Sequence, residues 1–163
     1  MKLYIKQKVF TLKDRFTVWD ANGNERYYVE GELFTWGKKL HVYDTANREV
    51  ALIQQKVFSF LPRYFVYVNG IEIAEIVKEF TFFKPRYTIH GLNWSVEGDF
   101  FAHEYTVSEN GRPVVQISKE WMTWGDSYEL NIADDAKETA ALAVVITIDC
   151  VMAQAASAAA ATN

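Results

Sequence analysis

Thr139-Ala140-Ala141-Leu142-Ala143-Val144-Val145-Ile146-Thr147-Ile148-Asp149-Cys150-Val151-Met152-Ala153 is the stretch that decides the fold. It is long enough for a helix and apolar on every side. A helix with no polar face has nothing to offer water, so it must be buried all round. Its start is marked. Asp134 and Asp135 are N-cap candidates, and Glu138 stands three residues after Asp135. Acids also favour the positive end of a helix. Everything ahead of this stretch reads as strands and turns, so the expectation is strands wrapped around a helix.

Those strands repeat. Asn22-Gly23, Asn69-Gly70 and Asn110-Gly111 punctuate the chain. Asn-Gly between apolar runs is a strong hairpin signal, because a type I′ turn needs positive φ at both central positions. Ten residues after each glycine stand Leu33, Phe80 and Trp121, and thirteen after stand Trp36, Phe83 and Trp124. Seventeen after come Leu40, Tyr87 and Tyr128, and nineteen after come Val42, Ile89 and Leu130. Each unit reads as four short strands with alternating faces, one in and one wet. Three units give about twelve strands, joined by turns too short for crossovers and hence antiparallel. Twelve strands in an open sheet would leave two bare edges, whereas closure removes them. About eight strands already make a barrel that side chains can fill, so twelve leave a hole. A helix about 10 Å across fits that hole, and the alanines keep this one thin.

The predicted fold is therefore mainly β: a closed antiparallel barrel of about twelve strands around a buried C-terminal helix. One domain is expected over residues 1–156, with a low-complexity tail at 157–163. With 50% hydrophobic and 15% aromatic residues the chain is not globally disordered. A net charge of -4 argues against nucleic acid as a partner. The single cysteine, Cys150, permits no intrachain disulfide and suits a reducing compartment. The first eight residues carry no signal-peptide core, so the expected location is cytoplasmic. The C-terminal run approaches the roughly 20 residues a bilayer needs. Weakly hydrophobic alanines, Asp149 in its interior and no Lys or Arg after it oppose transmembrane insertion.

Three four-stranded units followed by one apolar helix resemble the Tubby C-terminal-like superfamily, and within it the LURP-one-related branch with its bacterial YxjI-type relatives. The phospholipid scramblases are more distant kin. The most specific piece is Val145-Ile146-Thr147-Ile148-Asp149-Cys150-Val151-Met152, similar to the apolar-Ile-Asp-apolar centre of those helices. The resemblance implies a closed barrel around a central helix and no enzymatic activity. A scramblase-type calcium site before the helix is not carried over. The stretch around Asp134, Asp135 and Glu138 lacks the glycine turn and alternating acids of such a loop.

No catalytic constellation is legible. The histidines, His41, His90 and His103, have no metal-ligand spacing, and no HExxH, CxxC or P-loop pattern occurs. No cofactor or metal is expected. Asp149 is read as a structural buried acid that accepts hydrogen bonds and pins the helix, and Cys150 as a buried thiol. With the barrel filled, function must sit on the wall, the end loops or the tail. The first expectation, which the resemblance implies more than the residues themselves, is weak binding to anionic phospholipid or phosphoinositide surfaces. It would run through the loops Trp36-Gly37-Lys38-Lys39 and Phe82-Phe83-Lys84-Pro85-Arg86, with Arg63 as a neighbour. Against it stands the reading that these aromatics plug the barrel end and the lysines are ordinary solvated charges. A protein-interaction or scaffold role is the alternative function, and an enzyme the remote one.

Overall fold

Period-two patterning becomes strand almost wherever the sequence carries it. The computed structural model describes residues 1–6, 15–32, 36–120 and 127–161. The first unit holds β1 (Lys2–Lys6), β2 (Phe16–Asp20), β3 (Glu25–Gly31) and β4 (Lys39–Asp44). The second holds β5 (Glu49–Gln55), β6 (Arg63–Val68), β7 (Ile71–Lys78) and β8 (Tyr87–His90). The third holds β9 (Trp94–Asp99), β10 (Glu104–Glu109), β11 (Arg112–Glu120) and β12 (Ser127–Ile132). Inward positions alternate as the pattern requires: Phe16 and Val18, Tyr64 and Val66, Tyr105 and Val107 are all buried.

Two of the three Asn-Gly pairs form the expected turn, with Asn69 and Asn110 at φ 50° and Gly70 and Gly111 at φ 77°. Asn22-Gly23 does not. There Asp20 leads a longer turn, its carboxylate accepting the amides of Asn22 and Asn24 at 2.8 and 2.9 Å. The β2–β3 ladder shifts register between Val18 and Trp19, as the β6–β7 ladder does between Val66 and Tyr67 and the β10–β11 ladder between Val107 and Ser108. Asp44 does the same for the amides of Ala46 and Arg48 before β5. A carboxylate at the strand end thus overrides the Asn-Gly signal by offering backbone donors a nearer partner.

All twelve strands form one antiparallel sheet in the order β8-β7-β6-β5-β4-β3-β2-β1-β12-β11-β10-β9. The chain closes through β1, which pairs with both β2 and β12. Closure is not complete. β8 and β9 are the two ends of the sheet order and share no ladder, so the barrel carries one seam at the boundary between the second and third units. Gly98, at φ 140°, lies on β9 beside this seam. A Cβ there would meet the Glu104 carbonyl oxygen at 2.4 Å and the Tyr105 Cα at 2.5 Å, so only glycine lets β9 lie this close to β10.

A 3-10 turn over Asp135–Lys137 leads into α1 (Glu138–Ala161). Asp134 caps the 3-10 turn by accepting the Ala136 amide at 3.0 Å. Glu138 is not part of a capping box. It is buried and grips the barrel wall instead, taking a bidentate pair from Arg26 at 3.0 and 3.1 Å and the Tyr27 hydroxyl at 2.8 Å. Eleven consecutive helix residues, 141–151, are buried, which is three turns with no wet face. The buried Thr147 hydroxyl is satisfied within the helix by the Ala143 carbonyl at 2.7 Å. α1 is the described helix long and apolar enough to cross a membrane, yet two-thirds of its apolar window is buried in the barrel. The helix runs on through Ala161, into the alanine-rich tail.

Candidate functional site

Antiparallel strands send alternate connections to opposite ends. The tight turns at 21–24, 45–48, 69–70, 91–93 and 110–111 gather at one end, with the helix start. The longer connections gather at the other: 56–62, 79–86, 100–103 and the described part of the β3–β4 loop. Nine large apolar side chains are exposed among the described residues, and eight sit in these longer loops. They are Trp36, Val57, Phe58, Phe60, Phe80, Phe82, Phe83 and Phe101, while Ile71 alone stands at the turn end. Trp36 is 78% exposed and Phe83 95%. These aromatics therefore do not plug the barrel; the helix already fills it, and they stand outside as a collar. Trp36 meets Phe58 at a ring separation of 6.2 Å, which links two neighbouring loops. Trp124, expected at the matching place in the third unit, lies outside the described residues, as do Leu33 and Trp121.

The cations expected to accompany them separate into two groups. Arg63 is held by Glu75 at 2.9 Å, and Lys39 by Glu32 at 3.4 Å. Lys38 lies against the buried Cys150 thiol, which burial pushes up and the Lys38 charge partly pulls back. Lys84 and Arg86 make no side-chain ion pair or hydrogen bond among the described residues. They sit where the β7–β8 loop faces the seam, lining an open cleft of about 600 Å³ with Phe82, Phe83, Glu97 and Phe100. Sequence reasoning found the basic wall of this cleft and missed the acidic one. Glu97 and Phe100 come from β9 and the turn after it, and nothing local announces that the seam brings them opposite Lys84.

Beneath the collar lies a polar layer. Asp149 is 2% exposed, deep in the loop half of α1. Tyr128 donates a hydrogen bond to Oδ2, and Tyr105 a long one to Oδ1 at 3.5 Å. His103 Nε2 approaches Oδ1 at 3.7 Å, and its ring packs on Tyr128 at 4.8 Å. Burial pushes the Asp149 carboxyl up to about 7, with the two tyrosine hydrogen bonds opposing. Burial, and then the nearby Lys119 charge, hold His103 below its usual range. One turn on, Gln154 accepts the Tyr64 hydroxyl at 2.8 Å. The Tyr87 hydroxyl is buried without a hydrogen-bond partner, its ring edge-on to Phe100 at 4.8 Å.

Tyr64 and Tyr105 stand at the start of the second strands of units two and three, and Tyr87 and Tyr128 at the start of the fourth strands of the same units. The repeat thus supplies four inward hydroxyls, of which Asp149 takes those of Tyr105 and Tyr128 and Gln154 that of Tyr64, while the Tyr87 hydroxyl has no hydrogen-bond partner among the described residues. Unit one offers Phe16 and Leu40 at those places. The signal was in the sequence as equal offsets, but it identifies the positions as inward and says nothing of what the hydroxyls bond.

The other histidines lie apart. His41 bridges Glu32 at 2.7 Å and Glu49 at 2.5 Å on the outer face of β4. Burial lowers its pKa, but these two carboxylates outweigh burial and raise it. His90 is exposed at the end of β8. Among the described residues no three His, Cys, Asp or Glu side chains converge as a metal site would need.

Comparison with known proteins agrees with this architecture. The chain is 36% identical over 152 residues to an uncharacterised protein, YxjI, of Bacillus subtilis (strain 168), covering 93% of this chain and 94% of that one. An Arabidopsis thaliana protein solved by X-ray crystallography superposes with a TM-score of 0.59 at 18% identity, over 91% of this chain and 89% of that one, a likeness of fold alone. The LURP-one-related family profile matches residues 1–149, so all twelve strands and the first half of the plugging helix fall within it, and the chain belongs to the LURP-one-related family.

Proposed function

We propose that this domain is a non-enzymatic, cytoplasmic module that binds anionic phospholipid surfaces through its loop end. One observation carries the reading: among the described residues the exposed aromatic collar is confined to one end and adjoins Lys84 and Arg86, which make no ion pair with any described residue. Scattered exposed apolar residues are ordinary, but eight gathered at one pole form a surface that a partner or an interface covers. Aromatic rings beside cations suit the headgroup layer, where rings settle among glycerol and acyl atoms and cations meet phosphate. Each cation near an anionic surface contributes about 1 kcal/mol, so Lys84 and Arg86 supply about 2 and the rings the rest. Binding is weak and reversible on this arithmetic. Arg63 and Lys39, already neutralised by Glu75 and Glu32, add little.

Liposome flotation tests this. Phosphatidylserine or phosphoinositide vesicles at low salt should carry the protein upward, and added salt should release it, because exposed charges are screened. Lys84→Glu with Arg86→Glu, or Trp36→Ala with Phe83→Ala, should abolish flotation while the melting temperature hardly moves. Flotation indifferent to both pairs, or none at low salt, would transfer the collar to the second reading, a protein-docking surface of the same aromatic character.

A further inference from the structure

We propose that the cleft at the β8–β9 seam is a single-lipid subsite for a zwitterionic phosphoamine headgroup, with the phosphate on Lys84 and Arg86 and the ammonium on Glu97. The proposal rests on the lipid-surface reading and names the headgroup class that one part of that surface selects. Three observations meet in the cleft. Its volume of about 600 Å³ admits a headgroup with its glycerol. Its two walls carry opposite charge, Lys84 and Arg86 on the β7–β8 loop and Glu97 on β9. None of these three side chains makes an ion pair or hydrogen bond among the described residues, although each shares the cleft with charge of the other sign. Unpaired charges of both signs facing one cavity fit a ligand that carries both. A headgroup with phosphate and no ammonium would meet Lys84 and Arg86 but leave Glu97 without a partner, and a purely cationic one would face the like charges of Lys84 and Arg86.

Phe82 and Phe83 line the cleft from the β7–β8 loop, and Phe100 from the turn after β9. Aromatic faces attract alkylammonium groups, most of all quaternary ones, and Glu97 supplies the counter-charge. The same rings suit the glycerol and first acyl carbons, which is why a lipid is favoured over a free phosphoamine. Gly98 lies between these groups, and its backbone leaves the β9 wall without a side chain at that point.

The test uses dihexanoylphosphatidylcholine below its micelle concentration, followed by the backbone amide resonances of Lys84, Glu97 and Gly98 on the intact chain. Dihexanoylphosphatidic acid lacks the ammonium, and free phosphocholine lacks the glycerol and acyl atoms. The expected order is phosphatidylcholine over phosphatidic acid, and over phosphocholine. Glu97→Gln should weaken the phosphatidylcholine probe roughly threefold, as loss of an exposed charge contact does, and leave or improve phosphatidic acid binding. Lys84→Glu with Arg86→Glu should weaken both lipids. Thermal melts confirm that each variant is folded. Equal affinity for the two lipids, an unchanged ratio in Glu97→Gln, or resonance shifts mapping away from the cleft would overturn the subsite. Free phosphocholine binding as tightly as the lipid would overturn its lipid identity. Flotation on anionic vesicles is unaffected by Glu97→Gln if only the subsite is wrong; loss of all flotation by the wild-type protein, with the soluble lipid still bound, would overturn the surface reading and leave the cleft standing.

Discussion

Replacing Asp149 with Asn should remove most of the fall in stability that this residue imposes between pH 5 and pH 8. The carboxyl rises from 3.8 to about 7 on folding, because burial in the barrel outweighs the hydrogen bonds from Tyr128 and Tyr105. In that window the folded protein holds a proton on Asp149 that the unfolded chain has released. Stability linked to this group is therefore fully present below about pH 4 and lost as pH rises through about 7. A gap of about three pH units corresponds to about 4 kcal/mol at full ionisation, and about 2–3 kcal/mol of it falls between pH 5 and pH 8. Asn keeps the size and the acceptor oxygen but has no charge to desolvate. Urea melts of both proteins at the two pH values give the answer as a difference of differences, in which all other titrations cancel except those coupled to Asp149. His103 is the coupled group, at 3.7 Å, and its lowered pKa acts in the opposite sense, costing stability as pH falls. The same four melts in a His103→Gln background remove it. The Asp149→Asn variant should be ahead of wild type by about 1–2 kcal/mol at pH 5 and by about 4 kcal/mol at pH 8. A gap that does not change with pH, or a variant that loses ground as pH rises, would mean that the fold stabilises the ionised carboxylate and that the burial argument is wrong.

Other expectations are simpler. Val145→Asp or Leu142→Asp should abolish cooperative melting, since a buried unpaired charge costs several kcal/mol against a total stability of about 5–15. Tyr128→Phe should cost about 1–3 kcal/mol by orphaning an Asp149 oxygen, whereas Tyr87→Phe, which removes a hydroxyl without a partner, should cost nothing or stabilise. Amide hydrogen exchange should be faster along β8 and β9 than along β2 or β11, because the seam leaves their outer backbone groups without a ladder. Equal protection in all four strands would close the seam in solution.

The architecture was legible because each part of it is periodic. Twelve strands followed from alternation and turn residues, and the central helix from an apolar run with no wet face. The failures have local causes. Asn22-Gly23 was overridden by Asp20, and Glu138 was taken from a capping role by Arg26 and Tyr27, which stand more than a hundred residues away. The seam was not legible either. It is the absence of a ladder between two consecutive strands, and no pattern of hydrophobic residues encodes which neighbouring strands stay unpaired.

The candidate site was half legible, and the missing half marks where sequence periodicity ends. Trp36 and Phe83 share an offset from their turns, and equal offsets ordinarily mean equal burial. Both stand exposed, because the helix has already filled the barrel and the repeat continues past the last strand residue into loops with no interior left to fill. Repetition therefore specifies placement, and the helix decides which placements are core. The same logic separates Tyr128 from Tyr87. They are equivalent by the repeat, but α1 is a single asymmetric rod inside a threefold wall, and one Asp149 cannot face every unit. It bonds Tyr128 and Tyr105 in the third unit, Gln154 takes Tyr64 in the second, and Tyr87 at the seam is left over. Tyr87 also stands on β8, one of the two strands that end the sheet order without pairing to each other. The hydroxyl and the seam both lie where the second unit meets the third, and the cleft with Lys84, Arg86 and Glu97 opens at that same boundary.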